Sequence, residues 1–325
     1  MKKPIAKFWL LTLSLGLLSG YSFANQDGTS TAQFLKIAKG ARAEGMGGAF
    51  TAVADDARAV DWNPAGLAQI THNELTFDYL KYIEDMNASS IAGAVPLNKI
   101  NGTLGFDATY VNMGTIDALD INENPISGDN KSSAYSGTLS YGQALGERIA
   151  LGAGAKFIKQ SLAGVSGSGA AVDLGVLVSA ITDRLNLGVS VLNLGSKIKT
   201  GTVAEDIPRT IQGGLAFYPI PKELVLAADV VKENDADAGF RIGTEYIYQR
   251  MFAIRAGYQD TKESKGGFSA GAGYIWRASA SPSAQSMGTS LSRANEAENT
   301  VRLDYAYVDY GDFNATHRLS LTFSF

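Results

Sequence analysis

From Leu75 onward, apolar and polar residues alternate with a period of two, the mark of a strand with two unlike faces. Leu75, Phe77 and Tyr79 alternate with Thr76 and Asp78; Ile149, Leu151, Ala153, Ala155 and Phe157 alternate with Ala150, Gly152, Gly154 and Lys156. Val172, Leu174, Val176 and Val178 repeat the pattern, as do Leu319, Leu321, Phe323 and Phe325. Turn signals divide this region into fourteen predicted strands: 73–83, 87–95, 102–112, 133–144, 149–160, 169–179, 185–194, 209–218, 224–232, 238–248, 252–260, 267–276, 300–310 and 316–325. Most have the length that a tilted strand needs to cross a bilayer. Short connections such as 146–148, 182–184 and 249–251 alternate with longer polar ones at 113–132, 161–168 and 195–208. An even strand count with short turns on one side and long loops on the other predicts an all-β fold, a transmembrane antiparallel barrel of about fourteen strands.

The charges sharpen this expectation. On each strand's parity, Asp78, Asp107, Lys156, Asp173, Asp229, Arg241, Glu245, Arg255, Arg302, Asp304 and Arg318 fall on the face opposite the apolar residues. A lipid-facing Arg or Lys near mid-membrane costs ~2–4 kcal/mol, whereas a lumen-facing charge is tolerated. The set holds five basic and six acidic residues. That balance predicts internal ion pairs rather than a pore of one dominant sign. The last strand ends on Phe323 and Phe325, as expected of a terminal signal read by the barrel-insertion machinery; an unpaired strand edge templates strand addition.

The first residues differ. Lys2, Lys3 and Lys7 precede the apolar run Phe8–Leu18, and Ser22-Phe23-Ala24 supplies small residues for cleavage. Residues 1–24 are thus expected to be a secretory signal peptide. The 325 residues carry a net charge of −4 and no cysteine. Removing the three lysines leaves 25 basic against 32 acidic residues. Disulfides, thiolate metal sites and cysteine nucleophiles are excluded, and a basic nucleic-acid footprint is absent. Charged residues make up 18% and glycines number 36, below and above ordinary soluble usage respectively.

Residues 25–72 are rich in small residues and lack the strand period. Ala52–Val60 could form a short helix, and Asn63-Pro64 should turn the chain. Asp55 and Asp56 would point apart on that helix, and the cluster Gly45-Met46-Gly47-Gly48 lacks the spacing of a dinucleotide fingerprint. A compact segment ahead of a barrel is a natural plug for its lumen. The stretch Phe34–Ala68 contains Gly-Ala-Arg-Ala, Gly-Met-Gly-Gly-Ala and Trp-Asn-Pro-Ala-Gly-Leu-Ala. It resembles the N-terminal hallmark of the PorV/PorQ family. Asn-Pro-Ala-Gly, together with Leu303-Asp304-Tyr305-Ala306-Tyr307, resembles the wider FadL superfamily. By that resemblance Arg42, Gly45, Met46 and Gly47, then Trp62, Asn63, Pro64, Ala65 and Gly66, mark an N-terminal hatch at 25–72 ahead of a barrel at 73–325. The resemblance implies a monomer in the bacterial outer membrane, in contact with its lipid. It also implies either passive transport of small hydrophobic compounds such as fatty acids, or a PorV-like part in secreting or assembling other proteins. The Ser/Ala-rich stretch 279–298 is too long for a periplasmic turn and is expected to be a flexible contact arm.

Catalysis is not expected. His72 and His317 lie near opposite rims and cannot form a shared site. The loop Asp120-Ile121-Asn122-Glu123-Asn124 continues with Pro125 where a calcium loop needs glycine. No metal or cofactor is expected.

Overall fold

The computed structural model describes residues 30–82, 86–97, 99–115, 131–180, 184–261, 267–277, 299–311 and 315–325. The predicted signal peptide, the calcium-like loop and the 279–298 arm lie outside the described residues. Fourteen antiparallel strands close into a barrel. They are β1 (Glu74–Lys81), β2 (Asn87–Leu97), β3 (Gly102–Thr115), β4 (Lys131–Leu145), β5 (Ile149–Leu162), β6 (Val165–Ser179) and β7 (Leu185–Gly195), followed by β10 (Thr210–Ile220), β11 (Leu224–Glu233), β12 (Gly239–Tyr248), β13 (Phe252–Asp260), β14 (Gly267–Arg277), β15 (Thr300–Asp309) and β16 (Ala315–Ser324). Between β7 and β10, the short strands β8 (Ile198–Thr200) and β9 (Val203–Glu205) form a separate hairpin.

Each strand pairs with its chain neighbours, β7 with β10 across that hairpin, and β16 with β1 to close the wall. Asn73 and Phe325 continue the last seam, each donating its N–H to the other's carbonyl at 3.0 Å. The C-terminal strand is therefore an edge only before closure. Leu139, Phe157, Val189, Ile254 and Phe268 are among the large apolar residues exposed on the outer surface, and the alternate positions are buried. This is a transmembrane barrel, with lipid outside and polar residues inside. β3 and β7, which precede two of the long connections, finish at the same end as β1, taken as the outer end by that rule, whereas the long β14–β15 connection leaves from the other. The barrel's own termini lie at the other, periplasmic end.

Two connections differ from expectation. Residues 161–168 are not a long loop. β5 and β6 run on until only Ala163 and Gly164 remain, at φ 46° and 83°, the left-handed pair of a tight hairpin turn. The 195–208 connection folds as the β8–β9 hairpin, and Ile198 turns fully inward to pack with Phe34 and Val111.

The N-terminal segment runs through the lumen from the outer end to the periplasmic rim. It carries helix α1 (Ala41–Gly45), helix α2 (Ala59–Trp62) and 3-10 turns at Gln33–Lys36 and Pro64–Gln69. The helix expected over 52–60 is confined to α2, because Ala54 takes φ 26° and the chain bends there. Glycines on the inner wall let the segment seat. A Cβ at Gly152, Gly175, Gly188, Gly243 or Gly257 would lie within 2.4 Å of Pro64 and Ala65, Asn63, Thr51, Met46 or Gly47 respectively. The excess glycine in the composition is partly this docking surface.

Deleting Phe325 removes one half of the Asn73–Phe325 pair. The deletion is expected to lower the heat-modifiable, membrane-inserted fraction several-fold; recovery of soluble, detergent-independent folded protein would contradict the barrel.

Candidate functional site: the lumen segment and its clamps

Closing a barrel around a chain removes water from every group between them, so each buried charge needs a partner. The partners are shared between wall and segment. Arg42 on α1 reaches Asp55 at 2.5 Å, Asp56 at 3.0 Å and Glu245 of β12 at 2.8 Å. Arg255 of β13 meets Glu245 at 2.6 Å and Asp304 of β15 at 2.8 Å. Arg302 completes the ring, 2.9 Å from Asp56 and 2.8 Å from Asp304. Asp55 and Asp56 therefore converge on one guanidinium rather than pointing apart, because the bend after Ala54 replaces the expected helix.

A second cluster lies nearer the outer end. Arg58 contacts Asp61 at 2.9 Å, Asp107 of β3 at 2.7 Å, and Asp78 of β1. Lys39 lies 2.7 Å from both Asp61 and Asp107. Beside these, Glu44 pairs with Arg318 of β16, whose other terminal nitrogen donates to the Tyr310 hydroxyl at 2.9 Å.

The eleven sequence-marked wall charges do not all act alike. Asp78, Asp107, Glu245, Arg302 and Arg318 bind charges of the N-terminal segment, while Arg255 and Asp304 link those charges along the wall. Lys156 and Asp173 pair with each other at 3.0 Å. Among the described residues Asp229 has no cation in hydrogen-bond contact; it accepts the backbone N–H groups of Phe50 and Thr51 at 3.0 and 2.9 Å. Arg241 stacks over Trp62 at 5.4 Å and donates to Gln212. Parity marks which residues face inward but not whether the partner is a charge, a peptide or a ring. The segment's own contributors, Lys39, Glu44, Arg58 and Asp61, have no strand period to expose them.

The marked N-terminal motif is the part most tightly enclosed. Asn63 is fully buried: it accepts the Ala65 N–H at 3.1 Å and donates to Thr51 O at 2.9 Å and to Val176 O of β6 at 3.2 Å. Its side chain thus caps the following 3-10 turn and ties it to the wall. Pro64 pre-sets the first residue of that turn. Gly66 lies against Ala54, where a Cβ would sit 2.0 Å from the carbonyl oxygen. The Trp62 carbonyl accepts from Ser190 at 2.8 Å and Gln212 at 2.6 Å. Gly45 approaches Gly271, Met46 is fully buried, and Gly47 takes φ 65° where it meets Tyr258.

At the outer end, Lys36 bridges Glu233 and Asp235 at 2.8 and 2.7 Å, and Gln33 donates to Asp235 at 2.8 Å. Burial raises the Asp235 carboxyl, but these bonds from Lys36 and Gln33 outweigh it and hold the group below its ordinary value. Gln160 of β5 ties Thr31 to Thr200 of the hairpin.

Among the described residues, two spaces stand out. One, of about 160 Å³, opens at the periplasmic rim between Arg42, Asp55, Ile70, Leu224 and Arg302. The other is a shallow apolar recess, about 470 Å³ and open to the lipid, on the outer surface of β4–β7, bordered by Tyr141, Leu151, Leu174, Val176 and Val189. Its floor includes Gly152 and Gly175, directly over Asn63–Ala65, so the wall there is one backbone thick.

The string Gly267-Phe268-Ser269-Ala270-Gly271 has the spacing of a hydrolase nucleophile elbow. It lies within β14, where Ser269 donates to Gly45 O at 3.4 Å, not at the strand-to-helix turn that such a nucleophile needs.

A family model for the uncharacterised protein family UPF0164 matches residues 20–123. No curated protein sequence matches. Solved structures do. The toluene transporter TodX of Pseudomonas putida is 14% identical with a TM-score of 0.59, covering 88% of this chain and 97% of that one. The toluene transporter TbuX of Ralstonia pickettii is 12% identical with a TM-score of 0.58, covering 88% and 97%. A FadL homologue from Pseudomonas aeruginosa is 13% identical with a TM-score of 0.51, covering 84% and 94%. The fold is that of the FadL-type barrels.

Replacing Arg42 with Met leaves Asp55, Asp56 and Glu245 facing one another, a loss of about 3–5 kcal/mol for a buried pair that loses one partner. Because the chain has no cysteine, a Val53→Cys reporter reads the consequence directly. Its thiol is expected to be protected from a polar maleimide in the otherwise wild-type barrel and to react at least ten-fold faster with Arg42→Met; equal protection would show that the clamp does not hold the segment.

Proposed function

We propose that this chain is an outer-membrane protein for the passive transport of small hydrophobic compounds, such as fatty acids, with residues 25–72 acting as the hatch. The observation that carries this reading is the apolar recess over the thin wall of β5 and β6, backed by Asn63–Ala65. The lumen itself is crossed by charges, so an apolar molecule passing straight through would lose its favourable burial. A route along the barrel surface and into or out of the wall at the recess keeps it out of water. The β5–β6 ladder is continuous beneath the recess, so the opening would need the adjoining β6–β7 pair to part, where the register shifts between Val172 and Leu174, as the Asn63 turn moves. The neighbours' described cargoes, toluene and monoaromatic hydrocarbons, are of the same broad class. Export by the predicted signal peptide would bring the chain to the outer membrane, as a monomer inserted by the barrel-assembly machinery.

A second reading is a PorV-like carrier in the secretion or surface assembly of other proteins. It is favoured by the two charge clusters that hold the lumen segment, since a carrier needs no open path.

Leu174→Trp and Val176→Trp fill the recess from the lipid side without touching the segment. Each is expected to slow uptake of a labelled fatty acid or toluene by cells at least five-fold, with folded barrel levels unchanged. Unchanged uptake in these variants and in a deletion strain, with secreted proteins retained, would replace transport by the carrier reading.

A further inference from the structure

The outward face of β15, β16 and β1 changes character along its length. Toward the periplasm it presents Leu303 and Phe77, both exposed. Next toward the outside come Tyr79, Leu319 and Tyr305, in register and also exposed, where amphipathic rings suit the membrane interface; Tyr307 follows, level with His317. The stripe ends on two basic side chains, Lys81 and His317, exposed and directly opposite each other across the β1–β16 seam. This pairing is unusual for the barrel: every ion pair described above faces inward, while these two groups face the outer edge of the lipid.

Among the described residues, nothing occupies their outward-facing donors. The Tyr305 hydroxyl lies 2.7 Å from His317 Nδ1. In the tautomer whose Nδ1 accepts that hydroxyl, and equally in the protonated ring, Nε2–H is left as a donor. Tyr307 packs edge-on at 5.9 Å and fixes the ring plane. The Lys81 ammonium has no hydrogen bond or ion pair with any described residue. Asp309, the acidic group on the same face of β15, accepts the Gly311 N–H at 2.9 Å. Two donors thus stand side by side above an aromatic row and an apolar surface.

We propose that Lys81 and His317 form a docking site for the net-negative, phosphate-bearing headgroup of an outer-leaflet lipid, whose acyl chains lie along Phe77 and Leu319. Charge complementarity selects the headgroup, with the Lys81 ammonium and the His317 Nε2–H meeting phosphate oxygens. The continuous apolar strip below selects a lipid over a free anion, which would leave that strip unused. The site is separate from the lumen and from the recess on β4–β7, so it stands whether or not the transport reading does. It would fix the seam at which the barrel closes in a defined orientation to the leaflet.

The test uses the purified full barrel in neutral detergent, titrated with dioleoyl phosphatidylglycerol or dioleoyl phosphatidylcholine and read by native mass spectrometry. Wild type is expected to retain phosphatidylglycerol preferentially, and Lys81→Gln and His317→Gln each to weaken that preference about five-fold, as expected for one cation near an anionic surface. Lys159→Gln, at an exposed position near the outer end of β5, should leave it unchanged. Excess inorganic phosphate should not displace the lipid. Both substitutions lie on the surface, and unchanged heat-modifiability confirms that the barrel is intact. Equal retention of the two lipids, equal retention by the variants, or displacement by inorganic phosphate would each overturn the proposal.

Discussion

The structure depends on one constraint: a charge enclosed between a barrel wall and a chain inside it must find its partner there. Water is excluded from the contact, and an unpaired ionised group would cost several kcal/mol. Arg42, Arg255 and Arg302 answer this by sharing Asp55, Asp56, Glu245 and Asp304 in a closed circuit. Arg58 and Lys39 do the same with Asp61 and Asp107. Such networks add little net stability over an apolar core of the same shape, but losing one member strands the rest. They are therefore better at fixing a single position for the segment than at holding it strongly.

Shape supports charge. Inward glycines on both sides of the barrel remove the side chains that would hold the segment off the wall, and the segment answers with alanines, glycines and a proline turn. Where glycine lines the floor of the lipid-facing recess, the same economy makes the wall thin. Close seating and the thin wall thus come from one feature, the absence of a Cβ at Gly152 and Gly175. At the outer end the segment is held differently, by Phe34 and Ile198 in an apolar cluster and by Lys36 on two acidic groups.

The barrel was legible because its two faces meet different solvents, which writes a strict period of two into each strand. Predicted and observed strands agree within a few residues, and the departures are informative. The 161–168 turn was hidden because Gly and Ser read as loop, although glycine at φ 83° is what lets β5 and β6 turn in two residues. The inward charges could be picked out by parity, yet Asp229 and Lys156 show that parity does not name the partner. The N-terminal segment has no period at all. Its helix at 59–62, the convergence of Asp55 and Asp56 on Arg42, and the roles of Lys39, Glu44, Arg58 and Asp61 arise only from contacts far apart in sequence. The Asn63-Pro64 turn was readable because its chemistry is local.

The central claim is that wall and segment form one sealed unit, held by the two charge clusters. Ion conductance of single barrels in a planar bilayer tests it most directly. The wild-type barrel is expected to carry no steady current, and the Arg42→Met, Arg58→Met double variant to conduct. A wild-type barrel that conducts steadily, or a double variant as closed as wild type, would contradict it.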